Sequence, residues 1–357
     1  MKLLLLLLLI PASLQAFPEM IRHNYVNCSA CHVNNSGGGL LNAYGRTISY
    51  EVLSTWGTEK EARAFYSIDP EATSNWLNLG GDVRNIQLQQ ENDKFKVGRN
   101  IWMEANIQAA VTIKNLTSFL SFGQIKQSNQ SFEQKITKYY FSYQFTDELA
   151  LRAGRYIPVF GMNIPQHNYL IKKNLSFGPG SERDAIDLQY NGETYNFVLG
   201  LSNSLLDSSI RDKERALNIQ IQKNILDRHK FGLNYWYGES PNYKKIVLGA
   251  QMVLGWAENL YSLAEVNHQW LEASLGSEEK SVNQLLKLGY ELEKGLHLQL
   301  VQEWSSSSKD DISNYGMGLT WYPRPHFEIE TLYSKKTSAA ATSGTEDLAY
   351  FMTHFYF

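Results

Sequence analysis

"RALNIQIQK", residues 215–223, sets Leu217, Ile219 and Ile221 on alternate positions against Asn218, Gln220 and Gln222. Successive side chains of an extended strand point to opposite faces, so this pattern describes a strand with one apolar and one polar face. "NIWMEANIQAAVTI", residues 100–113, repeats the theme over a longer span. Ile101, Met103, Ala105, Ile107, Ala109, Val111 and Ile113 alternate there with Trp102, Glu104, Asn106, Gln108 and Thr112.

About sixteen such segments run from 76–90 to 346–357. They are longer than the ~5–6 residues usual for strands of soluble proteins. They suit the ~9–11 residues a tilted strand needs to cross a bilayer. The breaks between them alternate in length. "KN" at 114, "TD" at 146, "NG" at 191 and "RP" at 324 are short, whereas 158–183, "NSLLDSSIRD" at 203 and "SKKTSAAATSGTE" at 334 are long. Short periplasmic turns facing long outer loops characterise outer-membrane barrels, and an even strand count returns both ends to the periplasm. The fold expected over 76–357 is therefore all-β: a closed, antiparallel, transmembrane barrel of about sixteen strands. The final "LAYFMTHFYF" agrees, with Phe351, Thr353, Phe355 and Phe357 on one face and Tyr350, Met352, His354 and Tyr356 on the other. A soluble sandwich also alternates, but it has no use for the excess of 21 Tyr, 16 Phe and 8 Trp. In a barrel these aromatics belong in interfacial girdles.

The other end sets the compartment. "MKLLLLLLLIPASLQA", residues 1–16, has a charged start, an eight-residue apolar core from Leu3 to Ile10 and a small residue, Ala16, at the expected cut. It reads as a signal peptide and is too short to be a membrane helix. A net charge of -3 argues against nucleic acid as a partner. The expected location is the outer membrane of a Gram-negative bacterium, with lipid around the barrel.

Residues 17–75 do not alternate. "NNSGGGLLNAYGR" reads as a glycine-rich loop and "GTEKEARAFYSIDPEA" as a short helix. An element of this size is too small for a large core of its own without a cofactor or a surrounding wall. It also holds the only cysteines of the chain, in Cys28-Ser29-Ala30-Cys31-His32. C-x-x-C-H is the attachment sequence for c-type haem: the thiols meet the two vinyl groups and the following imidazole meets the iron. A disulfide across so small a loop gains little and leaves His32 unused. A thioredoxin-like site needs an α/β scaffold, and a zinc site needs two further ligands with only His23 nearby.

The flanking residues extend the motif. "PEMIRHNYVNCSACH" and the following "LNAYGR" resemble the start of the fused monohaem cytochrome-porins of the outer membrane, a group that includes proposed iron oxidases. The matching positions are Pro18, Met20, Arg22, Cys28, Cys31, His32, Leu41, Tyr44, Gly45 and Arg46. The family has Gln where His23 stands and lacks the run "NNSGGG". The resemblance implies a single covalent haem c fused to a sixteen-stranded porin, an extracellular donor such as ferrous iron and a periplasmic electron carrier. The expected organisation is a signal peptide over 1–16, a cytochrome segment over 17–75 and a porin-like barrel over 76–357.

Further candidates follow from chemistry. Arg22 and Arg46 suit haem propionates through bidentate pairing. A sixth iron ligand must come from upstream, at Met20 or His23, from the barrel wall, or from water. Met103 and Met252 fall on the lipid face by alternation, whereas His297, Met352 and His354 fall on the lumen face. "LRAGRYIPVFGMNIPQHN", residues 151–168, looks like a porin strand entering a loop, with Arg152 pointing inward, and the loop over 158–183 is long enough to fold into the pore. Glu291, Glu303, Glu328 and Glu330 also face the lumen, as cation attractors or as solvated lining. Three functions remain open: electron transfer across the outer membrane, a small-solute porin with a haem-bearing plug, and a cytochrome-bearing component of a larger electron conduit.

Overall fold

A computed structural model describes residues 18–63, 76–126, 132–164, 166, 168–178, 180–204, 213–274, 276–340 and 344–357. The signal peptide read at 1–16 and the later part of the helix read in "GTEKEARAFYSIDPEA" lie outside the described residues.

The sixteen strands are β1 (Leu77–Glu91), β2 (Lys96–Ile113), β3 (Leu116–Lys126), β4 (Phe132–Gln144), β5 (Leu149–Tyr156), β6 (Arg183–Asn191), β7 (Tyr195–Ser204) and β8 (Arg215–Ile225), followed by β9 (His229–Glu239), β10 (Tyr243–Ala257), β11 (Leu260–Ala273), β12 (Glu278–Glu293), β13 (Leu296–Ser307), β14 (Asp311–Arg324), β15 (Phe327–Ser338) and β16 (Thr345–Tyr356). Each pairs antiparallel with its chain neighbours. β16 returns to β1 in the register Asp82↔Tyr356 to Glu91↔Asp347, closing the barrel. Gly81 and Phe357 exchange two backbone hydrogen bonds, of 3.0 and 3.1 Å, at the seam.

Alternation assigns the faces. In β8, Asn218 and Gln220 are buried inside while Ile221 is 43% exposed outside. Ile107, Phe141, Leu201, Leu233 and Met317 are also exposed on the outer wall. A band of this extent in water is a liability, whereas in lipid it is the required surface. Closure leaves no unpaired strand edge in the membrane. The chain is thus a membrane-spanning sixteen-stranded barrel, and among the described residues no helix is long and apolar enough to cross.

One face assignment is corrected. In the β1–β2 register Arg84 faces Glu104 and the next pair is Asn85↔Trp102, so Met103 is an extra residue. A bulge of this kind shifts the phase of the strand by one. Ile101 and Met103 consequently pack against the interior cluster, and Trp102 is exposed. Met103 does not belong to the lipid face on which uninterrupted alternation puts it.

Two chain segments enter the lumen. From one end comes residues 18–63, built of short 3-10 turns, α1 (Ala43–Ile48) and α2 (Glu59–Ala62). From the other comes the β5–β6 connection, with α3 (Leu170–Lys173). Between them lies a dry core: Ile21 and Val26 of the first and Met162, Tyr169 and Ile171 of the second pack with Ile86, Val253, Leu263, Leu285, Val301 and Met352 of the wall.

Candidate functional site

The N-terminal segment stoppers the end of the barrel that carries the short turns. Arg22 Nε donates to Glu258 O at 2.7 Å, Asn27 Nδ2 to Gly192 O at 3.2 Å, and Arg228 Nε to Asn24 Oδ1 at 3.1 Å. Further on, Thr55 N donates to Tyr322 O at 2.9 Å and Trp56 N to Pro323 O at 3.0 Å. These contacts lie in or beside the β6–β7, β8–β9, β10–β11 and β14–β15 turns. The segment is therefore pinned around the rim and projects residues 28–40 inward.

Cys28–Ala30 form one 3-10 turn, in which Cys31 N and His32 N both donate to Cys28 O, at 3.3 and 3.2 Å. Asn42 locks this turn to α1. Its amide donates to Ala30 O at 2.7 Å, its backbone N–H donates to Cys31 O at 2.8 Å, and its Oδ1 caps the helix by accepting from Gly45 N at 2.9 Å. Gly45 lets α1 approach, since a Cβ there would lie 2.4 Å from Cys31 O. Gly37, Gly38 and Gly39 have φ of +81°, +77° and +67°, a left-handed run that other residues adopt at a cost. A Cβ on Gly37 would meet Cys28 Cβ at 2.9 Å, so the glycine run wraps the first cysteine closely. The run turns the chain back so that His32 Nδ1–H donates to Gly39 O at 3.2 Å. That bond places the imidazole lone pair on Nε2, the tautomer a metal-binding histidine requires.

The turn borders a cavity of about 250 Å³ between the two inserted segments, lined by His32, the three glycines, Leu41, wall residues such as Asp82, Lys138 and Arg152, and loop residues Phe160–Ile164. The loop is bolted across the lumen to the far wall. Gly161 N donates to Asn234 Oδ1 at 3.2 Å, Met162 N to Glu265 Oε2 at 2.6 Å, Leu170 N to Glu303 Oε1 at 2.6 Å, and Gln166 Nε2 to Glu330 Oε2 at 2.8 Å. At its near end Asn163 Nδ2 donates to Ser36 O at 2.8 Å, joining loop to plug.

The turn carries the residue types a covalent haem would use, two thiols and a histidine, of which His32 lines the cavity and Cys28 and Cys31 do not. The two cysteines are not joined to each other. Burial raises both thiols above their usual range, which keeps them protonated, the reverse of a redox-active pair. His32 follows them at a cavity wall. The cavity falls just below the roughly 300 Å³ at which small-molecule sites begin. Among the described residues no cluster of three or more His, Cys, Asp or Glu side chains is arranged to hold a metal ion.

The other candidates are distributed differently from the sequence expectation. Arg22 does not line the cavity. It is fully buried and pairs with Glu291 Oε2 at 2.7 Å, with its guanidinium 5.5 Å from the Tyr261 ring centre. Arg46 is tied to Leu41 O and Leu79 O and is lowered to about 10 by burial. These partners hold the plug in place; neither arginine lines the cavity, and Arg46 Nη1 is buried without a hydrogen-bond partner. His23 and His297 lie near Arg22, outside the cavity. His23 is lowered to about 4 by burial and the adjacent guanidiniums, and His297 sits edge-on to Tyr261 and Tyr322 with Glu291 Oε1 3.8 Å from its Nε2. His354 does line the cavity, but Asp82 Oδ1 at 3.1 Å and Glu328 Oε2 at 2.9 Å occupy its two ring nitrogens. The four lumen carboxylates are internal anchors and not solvated lining. Glu291 holds Arg22, Glu303 and Glu330 hold the loop, and Glu328 holds His354.

No family model matches the chain, and no curated protein matches it in sequence. Solved structures match it in fold. An anion-selective porin from Comamonas acidovorans is 8% identical, with 79% of this chain and 99% of that chain covered and a TM-score of 0.64. OprB from Pseudomonas putida is 9% identical, with 86% and 100% covered and a TM-score of 0.64. The outer-membrane channel DcaP of Acinetobacter baumannii is 12% identical, with 79% and 97% covered and a TM-score of 0.58. At these identities the likeness is one of fold: the chain has the barrel fold of the outer-membrane porins. Within that class it is a barrel whose lumen carries a C-x-x-C-H turn on an inserted N-terminal segment.

Proposed function

We propose that this chain is an outer-membrane electron-transfer protein of a Gram-negative bacterium, carrying one haem c on Cys28 and Cys31 with His32 as the proximal ligand. The observation that supports this most directly is the orientation of His32: its Nδ1–H is spent on Gly39 O, and it borders a cavity lined by plug, loop and wall. When bound, the haem supplies a one-electron couple. The chain supplies position, burial and ligation, which set its potential.

The attachment turn hangs from the short-turn rim, so a soluble periplasmic carrier can approach from that side. The loop over 157–182 closes the opposite side and is where an external donor or acceptor would approach. One haem does not bridge a hydrocarbon layer of ~30 Å, so both partners must come close. Ferrous iron as donor follows from the resemblance of residues 18–46.

The decisive test is a haem-stained denaturing gel of protein made with a cytochrome c maturation system, beside a Cys28→Ala, Cys31→Ala variant. Covalent stain in the native protein alone is expected; no stain in either removes the proposal. A difference spectrum with ferrous iron then separates an iron donor from another one.

A second reading, a small-solute channel, is favoured by the fold shared with an anion-selective porin and other channels. Liposome swelling by small sugars or anions, with no redox response, is its signature. A conduit component would instead co-purify with multihaem partners.

A further inference from the structure

We propose that the cavity between plug, loop and wall is a binding site for a small hydroxycarboxylate, held by Lys138 and Tyr140 of β4 and by Gln108 of β2. The site goes beyond the haem-bearing reading and does not rest on it, because its groups stand on the barrel wall and neither cysteine lines the cavity.

Strand register presents these groups together. Gln108 pairs with Ser121 between β2 and β3, and Ser121 with Lys138 between β3 and β4, so the three stand in one row across adjacent strands. Neighbouring strands lie ~4.8 Å apart, which puts the glutamine and lysine backbones roughly 10 Å from each other. The serine between them is too short to separate the two longer side chains. The next row is Ala110, Phe119 and Tyr140, against which Leu40 of the plug packs. Tyr140 stacks on Phe119 with 4.6 Å between ring centres and stands edge-on to Tyr156 at 6.0 Å, which fixes the direction of its hydroxyl. The plug closes over Gln108 through Gly39, where a Cβ would crowd Gln108 Oε1 at 3.0 Å.

The unmet polar groups define the ligand. Arg84, Lys138, Arg152 and Lys172 line the cavity against two carboxylates, Asp82 and Glu104. Arg152 is matched by Asp187, Lys172 Nζ donates to Phe160 O at 3.0 Å, and Arg84 Nη2 stands 3.4 Å from His354 Nε2. Asp82 is occupied by His354 and by Gln108 Nε2 at 2.7 Å, and Glu104 Oε1 by Asn106 Nδ2 at 2.6 Å. Of the four cations, Lys138 is the one that makes no hydrogen bond or ion pair among the described residues. The Tyr140 hydroxyl is buried without a partner on a side chain only 4% exposed, and Gln108 Oε1 is buried and unpartnered as well. Buried polar atoms left unpaired cost stability, which a ligand that pairs them restores. An ammonium and a phenol hydroxyl can both donate, and together they suit a carboxylate. The amide oxygen accepts, and an alcohol hydroxyl on the same ligand supplies its donor. A volume of about 250 Å³ restricts the ligand to a small acid.

The test is equilibrium dialysis of the full chain, made with haem maturation and held in detergent, against labelled lactate, with lactamide and propionate as competitors. Native protein is expected to retain lactate. Neutral lactamide should compete at least roughly tenfold more weakly, and propionate several-fold more weakly because Gln108 Oε1 then lacks a donor. Lys138→Met should weaken lactate binding by roughly tenfold or more and Tyr140→Phe several-fold. Lys335→Met, at an exposed lysine beside Asp347, should leave it unchanged. Each variant is first checked for heat-modifiable migration as a folded barrel. No retained lactate in the native protein, lactamide competing as well as lactate, or an unchanged affinity in Lys138→Met overturns the site. Propionate equal to lactate overturns the pairing of a ligand hydroxyl with Gln108. Haem stain is a separate readout, so none of these results bears on the haem-bearing reading.

Discussion

Arg152 holds three partners at once from a buried position on β5. Its Nη2 and Nε reach the two oxygens of Asp187 at 2.6 and 3.3 Å, its Nη1 donates to Asn34 Oδ1 of the plug at 2.6 Å, and its guanidinium lies 3.7 Å from the Tyr156 ring centre. Removing one member of a buried pair leaves the other charge unsolvated, which costs about 3–5 kcal/mol. Arg152→Ala is therefore expected to lower the urea midpoint strongly, and Arg152→Ala with Asp187→Ala to recover part of the loss. A midpoint unchanged by the single substitution would show that Asp187 finds other support. The inward arginine was legible from the sequence because alternation fixes its face. Its partner on the plug was not, because Asn34 is 118 positions away and belongs to a segment without period. Met103 shows the same limit from the other side: nothing in "NIWMEANI" announces a bulge, since either phase of the strand puts apolar residues on an acceptable surface. Asn42 was equally hidden. Its signal is an N-cap asparagine before "AYGR", readable as a helix start but not as the clamp on Cys31.

The plug has only a small apolar cluster of its own, Met20, Tyr25, Cys31, Leu41, Ile48 and Leu53, which Tyr322 and Tyr356 of the wall complete, so its docking contacts matter to its stability. His326, in the β14–β15 turn, donates from Nε2 to Ala62 O at 2.9 Å and from its backbone N–H to Ser49 Oγ at 3.2 Å, so it pins both α2 and the turn after α1. Burial, reinforced by the nearby Arg46 charge, lowers it to about 4. The docked form thus refuses a proton that the undocked form accepts from the ordinary value of 6.5 downward. Docking is fully stable above ~6.5 and weakens as pH falls towards 4, by up to about 3 kcal/mol across the window. Corrected for the slower intrinsic exchange at lower pH, the protection of amides in residues 43–62 is expected to fall between pH 7.5 and 5. In His326→Gln, whose amide keeps the donor without titrating, the change should shrink but not disappear, because His23 is also lowered to about 4. An equal loss of protection in both proteins would mean that His326 is not the linked group. The strands were readable to within a few residues because lipid on one side imposes a strict period of two. The plug was readable only through its motif, since the wall supplies the residues that complete its apolar packing.

For the whole molecule, the inserted segments decide what the barrel can pass. Sixteen strands usually enclose an aqueous channel. Here the middle of the lumen is apolar, and Val253, Leu263, Leu285 and Val301 point inward to pack against plug and loop. Their strands contain runs such as "VLGW" and "LLKL", apolar at consecutive positions, which look like weakened alternation until both faces are seen to be dry. Conductance through the native protein in planar bilayers is therefore expected to lack porin-sized steps. Releasing the loop alone, by Glu265→Ala with Glu303→Ala, should leave the current small, because the plug remains pinned at Arg22, Thr55 and Trp56 around the other rim. Only when the loop release is combined with deletion of residues 18–63 should large steps appear. Porin-sized steps from the native protein would show that the apolar core opens in a bilayer, and would favour the solute-channel reading over electron transfer.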